Sequence, residues 1–179
     1  MDLTDVVDET PNWLGEDEIA FVRDRVPIVY VEAVPVRLDH LGHVEKVGML
    51  LRAMPDGHVS RAVVGGRVLI GESIRDALWR HLTKDLGPEC EPQLPASATP
   101  FTVLEYFPEP VRHGYTDARQ HAVALAYIVP CNGDAQPSAE MLEFSWLDVR
   151  EVMTPAVTAE MSDGHRRLVQ LALAHAQRL

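Results

Sequence analysis

The chain is 179 residues long, with 16 basic and 27 acidic side chains and a formal net charge of −11; hydrophobic residues make up 46% and charged ones 24%. This is globular composition at single-domain length, with no apolar run of the ~18 residues a membrane span needs and no basic-then-apolar leader in MDLTDVVDETPNW. The acidity disfavours general nucleic-acid binding, and two cysteines, Cys90 and Cys131, are too few for a disulfide scaffold or a four-thiolate zinc site.

The sequence therefore predicts a cytoplasmic protein with neither nucleic acid nor a membrane as partner, and Cys90 and Cys131 read as ordinary thiols. Its basic residues are 14 arginines and two lysines, Lys46 and Lys84. The acidity is uneven: residues 1–24 hold eight acidic groups and one basic, so the rest of the chain is close to balanced. Residues 1–26 read as an acidic N-terminal tail and short helix, and 27–179 as the folded domain. The first ten residues suit a frayed tail or a docking segment.

Trp13 opens a helix through Val26, with acids in its first turn, Ile19, Val22 and Val26 toward the body, and Pro27 as the stop. Ile28 to Arg37 is strand-like, and Pro35 within it suggests an edge or a bulge. After a turn at 39–43, Val44 to Arg52 is a second strand. Pro55-Asp56-Gly57 is a turn and Val59 to Val64 a third strand, so the run reads as a β-meander. Gly65-Gly66 follows, then a helix over 72–86 with Ile74, Leu78, Leu82 and Leu86 in one apolar stripe, closed by Gly87-Pro88.

A proline-rich loop from 88 to 110 surrounds a short strand, Phe101 to Tyr106. His113 to Arg119 reads as a mobile loop able to cover a substrate. Gln120 to Pro130 is a strong strand that His121 opens as a core-edge histidine. Glu143 to Leu147 leads into a helical stretch through Val152. Ser162 to Leu179 is a final helix capped by Ser162 or Asp163. The order of elements predicts an α+β fold, an α/β/α sandwich.

The layout of two glycines after a strand, then Glu72, then an arginine-bearing helix closed by glycine is specific. The segment GRVLIGESIRDALWRHLTKDLGP, from Gly66 to Pro88, resembles the Nudix box G-x5-E-x7-R-E-U-x-E-E-x-G-U, with U a bulky aliphatic. Gly66, Glu72, Arg80, Leu82 and Gly87 match, and Asp85 is a conservative change. His81 and Lys84 stand where glutamates belong, and Pro88 where an aliphatic belongs. The three-strand lead-in and the later LEFSWLDVREV, similar to the family's acidic-x-x-Trp segment, extend the resemblance over residues 27–179. The whole is similar to a Nudix-like family of actinobacteria, whose GC-rich genomes suit the arginine bias.

The resemblance implies a mixed β-sheet with a loop–helix–loop and a C-terminal helix. It implies a pyrophosphohydrolase acting on a nucleoside diphosphate linked to another moiety, or a similar organic pyrophosphate. In Nudix hydrolases three box glutamates hold Mg²⁺ or Mn²⁺, a hard cation suited to carboxylates, which bridges the diphosphate and activates water. Carried onto this chain, the positions are His81, Lys84 and Asp85. Asp85 is the implied metal ligand, and His81 a general base or nitrogen ligand. Lys84 repels a cation and suits phosphate, as do Arg52 and Arg67 among the strand arginines, which also include Arg37 and Arg61.

At about 100° per residue His81 and Asp85 flank the apolar stripe, while Lys84 lies further round. The pair reads either as a structural helix-face pair or as an altered catalytic pair. Gly66, Glu72, Arg80 and Gly87 read as the structural part of the box. Glu105, Asp117, Glu140 and Glu143 are candidates for an extra carboxylate. A catalytically impaired module that binds a nucleotide-like ligand or a protein partner is the alternative. Nudix-fold proteins are often homodimers, and the Trp13–Val26 helix would pack across such an interface.

Overall fold

A computed structural model describes residues 12–54 and 56–176. The ten-residue tail, Pro55 of the predicted turn and the last three residues of the final helix lie outside the described residues. The chain runs α1 (Glu16–Arg23), β1 (Ile28–Leu38), β2 (Val44–Ala53), β3 (Val59–Ala62), β4 (Val64–Arg67), α2 (Ile74–Leu86), β5 (Thr102–Phe107), β6 (Tyr115–Thr116), β7 (Ala122–Pro130), β8 (Glu143–Asp148), α3 (Pro155–Thr158) and α4 (Asp163–Ala176). The strands form one mixed sheet in the order β3-β2-β1-β7-β5-β6, with β4 also on β1 and β8 also on β2. β1 runs parallel to β7 and β5 to β6; the other pairs are antiparallel.

The two faces of the sheet are covered by different helices, as an α/β/α sandwich requires. Val31, Ala33 and Val64 meet Ala77, Leu78, Leu82 and Leu86 of α2. Val34, Val36, Leu104 and Ala124 meet Leu168, Val169 and Ala172 of α4. The predicted α2 stripe is the buried one: Leu78, Leu82 and Leu86 are fully enclosed, each contributing about 1.5–3 kcal/mol of burial. Ser73 caps α2, its Oγ accepting from the Asp76 amide at 3.1 Å, and Gly87 ends it at φ +78°, where a side chain would be strained. The Ser162 hydroxyl accepts from the His165 amide at 3.2 Å and caps α4.

Several expectations are corrected. β1 is interior, not an edge, yet Pro35 is tolerated for a local reason. The Val36 carbonyl accepts from Cys131 on the β7 side, so the neighbouring Pro35 nitrogen faces the other side. There β1 changes partner, from β4 at Ala33 to β2 at Val36, and the missing N–H falls at the junction. The predicted third strand is two, broken at Val63: β3 pairs with β2, and β4 crosses to β1. Gly65 and Gly66 lie within β4, not in a loop.

Glu143 to Asp148 is strand β8 on β2, and residues 149–153 form turns rather than a helix. Tyr115–Thr116 forms β6 inside the segment read as a loop. α1 is shorter than expected. Val26 precedes Pro27, which disfavours helical backbone, so the chain leaves α1 after Arg23 and Val26 is half exposed. Ile19 anchors α1 in the body, and Arg23 Nε donates to Gln120 Oε1 at 2.9 Å.

Candidate active site on the box helix

The loop before α2 is braced from the helix. Arg80 forks onto Glu72, with Nε to Oε1 at 2.7 Å and Nη2 to Oε2 at 2.9 Å. The Leu69 amide also donates to Glu72 Oε2, at 3.0 Å. The Arg80 hydrogen bonds, chiefly, hold the Glu72 carboxyl below its ordinary range. Arg80 Nη2 reaches further, to the Arg67 carbonyl at 3.0 Å, tying α2 to the end of β4.

His81 sits in the space that Gly66 leaves. A Cβ on Gly66 would lie 2.1 Å from His81 Cε1, so only glycine admits the ring against β4. His81 Nε2 lies 3.0 Å from the Arg67 carbonyl. A carbonyl only accepts, so Nε2 carries the hydrogen and Nδ1 keeps its lone pair. Among the described residues Nδ1 has no partner, and it is not sealed from solvent. Burial lowers the pKa of His81, and the charge of Arg80 adds to that, so the neutral ring dominates at neutral pH.

Asp85 lies one turn on and is 4% exposed. It does not bond to His81. Its partner is Arg52, whose Nη2 is 3.2 Å from Asp85 Oδ2. Arg52 shares a face of β2 with Leu50, which packs in the α2-side core, and so points at the helix. Burial raises the Asp85 pKa, while the charges of Arg52 and then Lys84 pull it down. Lys84 itself is solvated, with Nζ 3.8 Å from the exposed Glu140 carboxylate.

The structure thus joins Arg52 to Asp85, with His81 one turn earlier on the same helix and Lys84 turned to solvent. Arg67 contributes its carbonyl there, but its side chain does not join them. Its register partner is Tyr30, on the α4 face, where the Arg67 guanidinium lies 4.4 Å from the Trp13 ring.

A divalent cation needs several hard oxygen ligands. Among the described residues no three His, Cys, Asp or Glu side chains come together as a ligand set. Of the positions 81, 84 and 85 only Asp85 is a carboxylate and it carries a guanidinium, Glu72 is taken by Arg80, and His81 has committed Nε2. This donor set does not fit Mg²⁺ or Mn²⁺. Of the other carboxylates proposed, Glu140 reaches only Lys84, and Asp117 is held by Arg119 and Gln120. Glu143 accepts from Ser145, while Glu105 is an exposed residue of β5. His121 stacks on Phe107, with ring centroids 4.6 Å apart.

The sequence reading missed a buried cluster on the α4 face. Glu32 of β1, 5% exposed, accepts from the Tyr106 hydroxyl at 3.0 and 3.1 Å and lies 3.3 Å from His165 Nε2. Burial, and then the Glu32 charge, push the Tyr106 hydroxyl pKa far up. The available signal was a lone acid inside the apolar run IVYVEAVPV.

The family model described as domain of unknown function DUF4916 matches residues 9–178. A crystal structure from Jonesia denitrificans, described as a possible asymmetric diadenosine tetraphosphate hydrolase, is 53% identical with a TM-score of 0.83. The match covers 87% of this chain and 98% of that one. A NUDIX hydrolase from Nitrosomonas europaea is 15% identical with TM-score 0.62, covering 84% and 91% of the two chains. A C. elegans Ap4A hydrolase binary complex is 14% identical with TM-score 0.59, covering 85% and 99%. The last two share the fold. No curated protein matches the sequence.

Proposed function

This chain belongs to the DUF4916 family and has the Nudix fold, and on that premise we propose that it is a divergent Nudix-type pyrophosphohydrolase. Its substrate would be a nucleoside diphosphate linked to another moiety, or a similar organic pyrophosphate. The description of the Jonesia denitrificans relative names a compound of this class and supports the reading.

The observation that carries it is the held, neutral His81 ring, one turn before Asp85 on the helix that also carries Lys84. The Arg67 carbonyl fixes Nε2–H, leaving Nδ1 as a base. In this reading Nδ1 takes a proton from water as the water oxygen bonds to phosphorus. The phosphoanhydride P–O bond then breaks toward the leaving phosphate. Arg52 and Lys84 offset charge on the phosphate oxygens. Asp85 orients Arg52. No step passes through a metal, because the donor set does not suit one.

A panel of dinucleoside polyphosphates and nucleotide sugars, with chelator and with added Mg²⁺ or Mn²⁺, tests this. Turnover that survives chelator and vanishes in a folded His81→Gln variant is the expected result. Turnover that needs the metal would overturn the metal-free assignment. No turnover anywhere would overturn the enzyme itself.

The second reading is a module that binds a nucleotide-like ligand without cleaving it. The Arg52–Asp85 bridge favours it, since it occupies the carboxylate at the position the resemblance gives to the metal ligand. Its signature is a rise in melting temperature with nucleotide, without metal and without products.

A further inference from the structure

We propose that Arg67 and Trp13 form a nucleotide subsite on the α4 face of the sheet, with the phosphate on the guanidinium and the base on the indole. The proposal rests on the reading that the chain takes nucleotide ligands, and it holds whether or not they are cleaved.

The first observation is the guanidinium itself. Arg23, Arg37, Arg52, Arg61, Arg75 and Arg80 are half-buried, and each donates to a carbonyl or to another side chain. Arg67 is half-buried too, but among the described residues its guanidinium has neither a hydrogen bond nor an ion pair. Its Nη2 is sealed without a partner, while Nε and Nη1 are not sealed. Burial, and then the charge of Arg23, disfavour the Arg67 cation. A rigid fork of donors without an acceptor is costly to keep and is matched in shape and charge by a phosphate.

The second observation is what lies beside it. The guanidinium is 4.4 Å from the Trp13 ring, and Trp13 is still 45% exposed. The cation orients the indole and leaves area on it for a planar base. The sheet is also polar here. Along β1 the side chains on this face change from Tyr30 and Glu32 to the core residues Val34 and Val36, and Arg67 stands opposite Tyr30.

Arg67 serves both faces. Its carbonyl accepts from His81 Nε2 and from Arg80 Nη2, each at 3.0 Å, on the α2 side. Among the described residues β4 pairs with β1 alone, so its other edge is open. A ligand with its anhydride at His81 can pass that edge and set its nucleotide end on Arg67.

The test is calorimetric titration of the full chain, in chelator, with adenosine monophosphate, inorganic phosphate and adenosine. Adenosine monophosphate should bind more tightly than either fragment. A folded Arg67→Gln variant should lose roughly tenfold or more in its affinity, and Trp13→Ala a smaller factor. In wild-type ¹H–¹⁵N spectra the nucleotide should move the Trp13 indole signal and leave that of Trp146, which decides even where a variant fails to fold. Adenosine binding as tightly as the nucleotide, or no nucleotide binding to the wild type, would overturn the subsite. Affinity kept in Arg67→Gln but lost in Arg52→Met would overturn it as well, and would leave the hydrolase reading standing. Binding that depends on Arg67, without turnover of any substrate, would support the subsite and remove the hydrolase.

Discussion

Replacing Arg52 with Met removes the one side chain that, among the described residues, is bonded to the buried Asp85 carboxylate, and the cost can be bounded from the exposures. Losing one partner of a buried ion pair costs about 3–5 kcal/mol, while an exposed pair is worth about 0–1. The Asp85 side chain is 6% exposed and that of Arg52 33%, so the pair lies between these limits. A loss of about 2 kcal/mol is expected near neutral pH, which for a chain of this size lowers the melting temperature by roughly 4–8 °C. The pH dependence follows from Asp85.

Its pKa is raised in the folded state, so the folded chain holds that proton more tightly than the unfolded one. Stability from this group is present below the unfolded value and is lost as pH rises through the folded one. Removing Arg52 raises the folded pKa further. The deficit of Arg52→Met relative to the parent should therefore be smallest near pH 4 and grow toward pH 7.5 in urea denaturation. Asp85→Asn in the same chain should restore part of the loss, with a coupling of about 1 kcal/mol or more. Equal deficits at both pH values, with strictly additive single variants, would refute the bridge.

Gly66→Ala should cost about 1–3 kcal/mol by overpacking against His81, and His81→Ala in the same chain should relieve it; thermal melts of the three variants decide. Glu72→Gln breaks the Arg80 fork. Because the folded pKa of Glu72 is depressed, the stability it supplies is present above the unfolded value of about 4.5 and lost as pH falls through the folded one. The variant should thus differ most from the parent at neutral pH and converge with it in acid. Tyr106→Phe should cost about 1–3 kcal/mol in chemical denaturation, since Glu32 loses its two phenol bonds while staying buried.

The parts of the fold read correctly from the sequence are those written in periodicity. The stripe at 74, 78, 82 and 86 is a helical signal that tertiary packing did not alter. β8 was misread because Phe144 and Trp146 stack edge-on, 5.0 Å apart, over Gly48 of β2. That strand is made by a partner roughly a hundred residues earlier, which local sequence cannot display. Gly65 and Gly66 look like loop punctuation, but they serve close approach: Gly65 to the Val31 carbonyl, Gly66 to His81.

At the site, helix geometry placed His81 and Asp85 beside the core edge with Lys84 apart. It could not say that Arg52 takes Asp85 while the Arg67 side chain faces away, because that depends on strand register. The pairing of residues 90–93 with 130–133 was hidden for the same reason: sequence shows how far apart the two segments are along the chain, not which strand ends close on each other.

The parallel pairing of β1 with β7 also constrains how the protein is made. Ile28 pairs with Ala122 and Val36 with Pro130, so the middle of the sheet joins segments roughly ninety residues apart. At synthesis rates of about 5–20 residues per second, β1 waits some five to twenty seconds for its partner. During that time β1 can pair with β2 and β4 on one side only, with its other long apolar edge open. Non-local parallel pairing is slow to close, and an open apolar edge invites pairing between chains. Because the Pro35 nitrogen faces the β2 and β4 side, the waiting edge keeps its full row of N–H donors, so the speed at which β7 arrives is what limits pairing between chains.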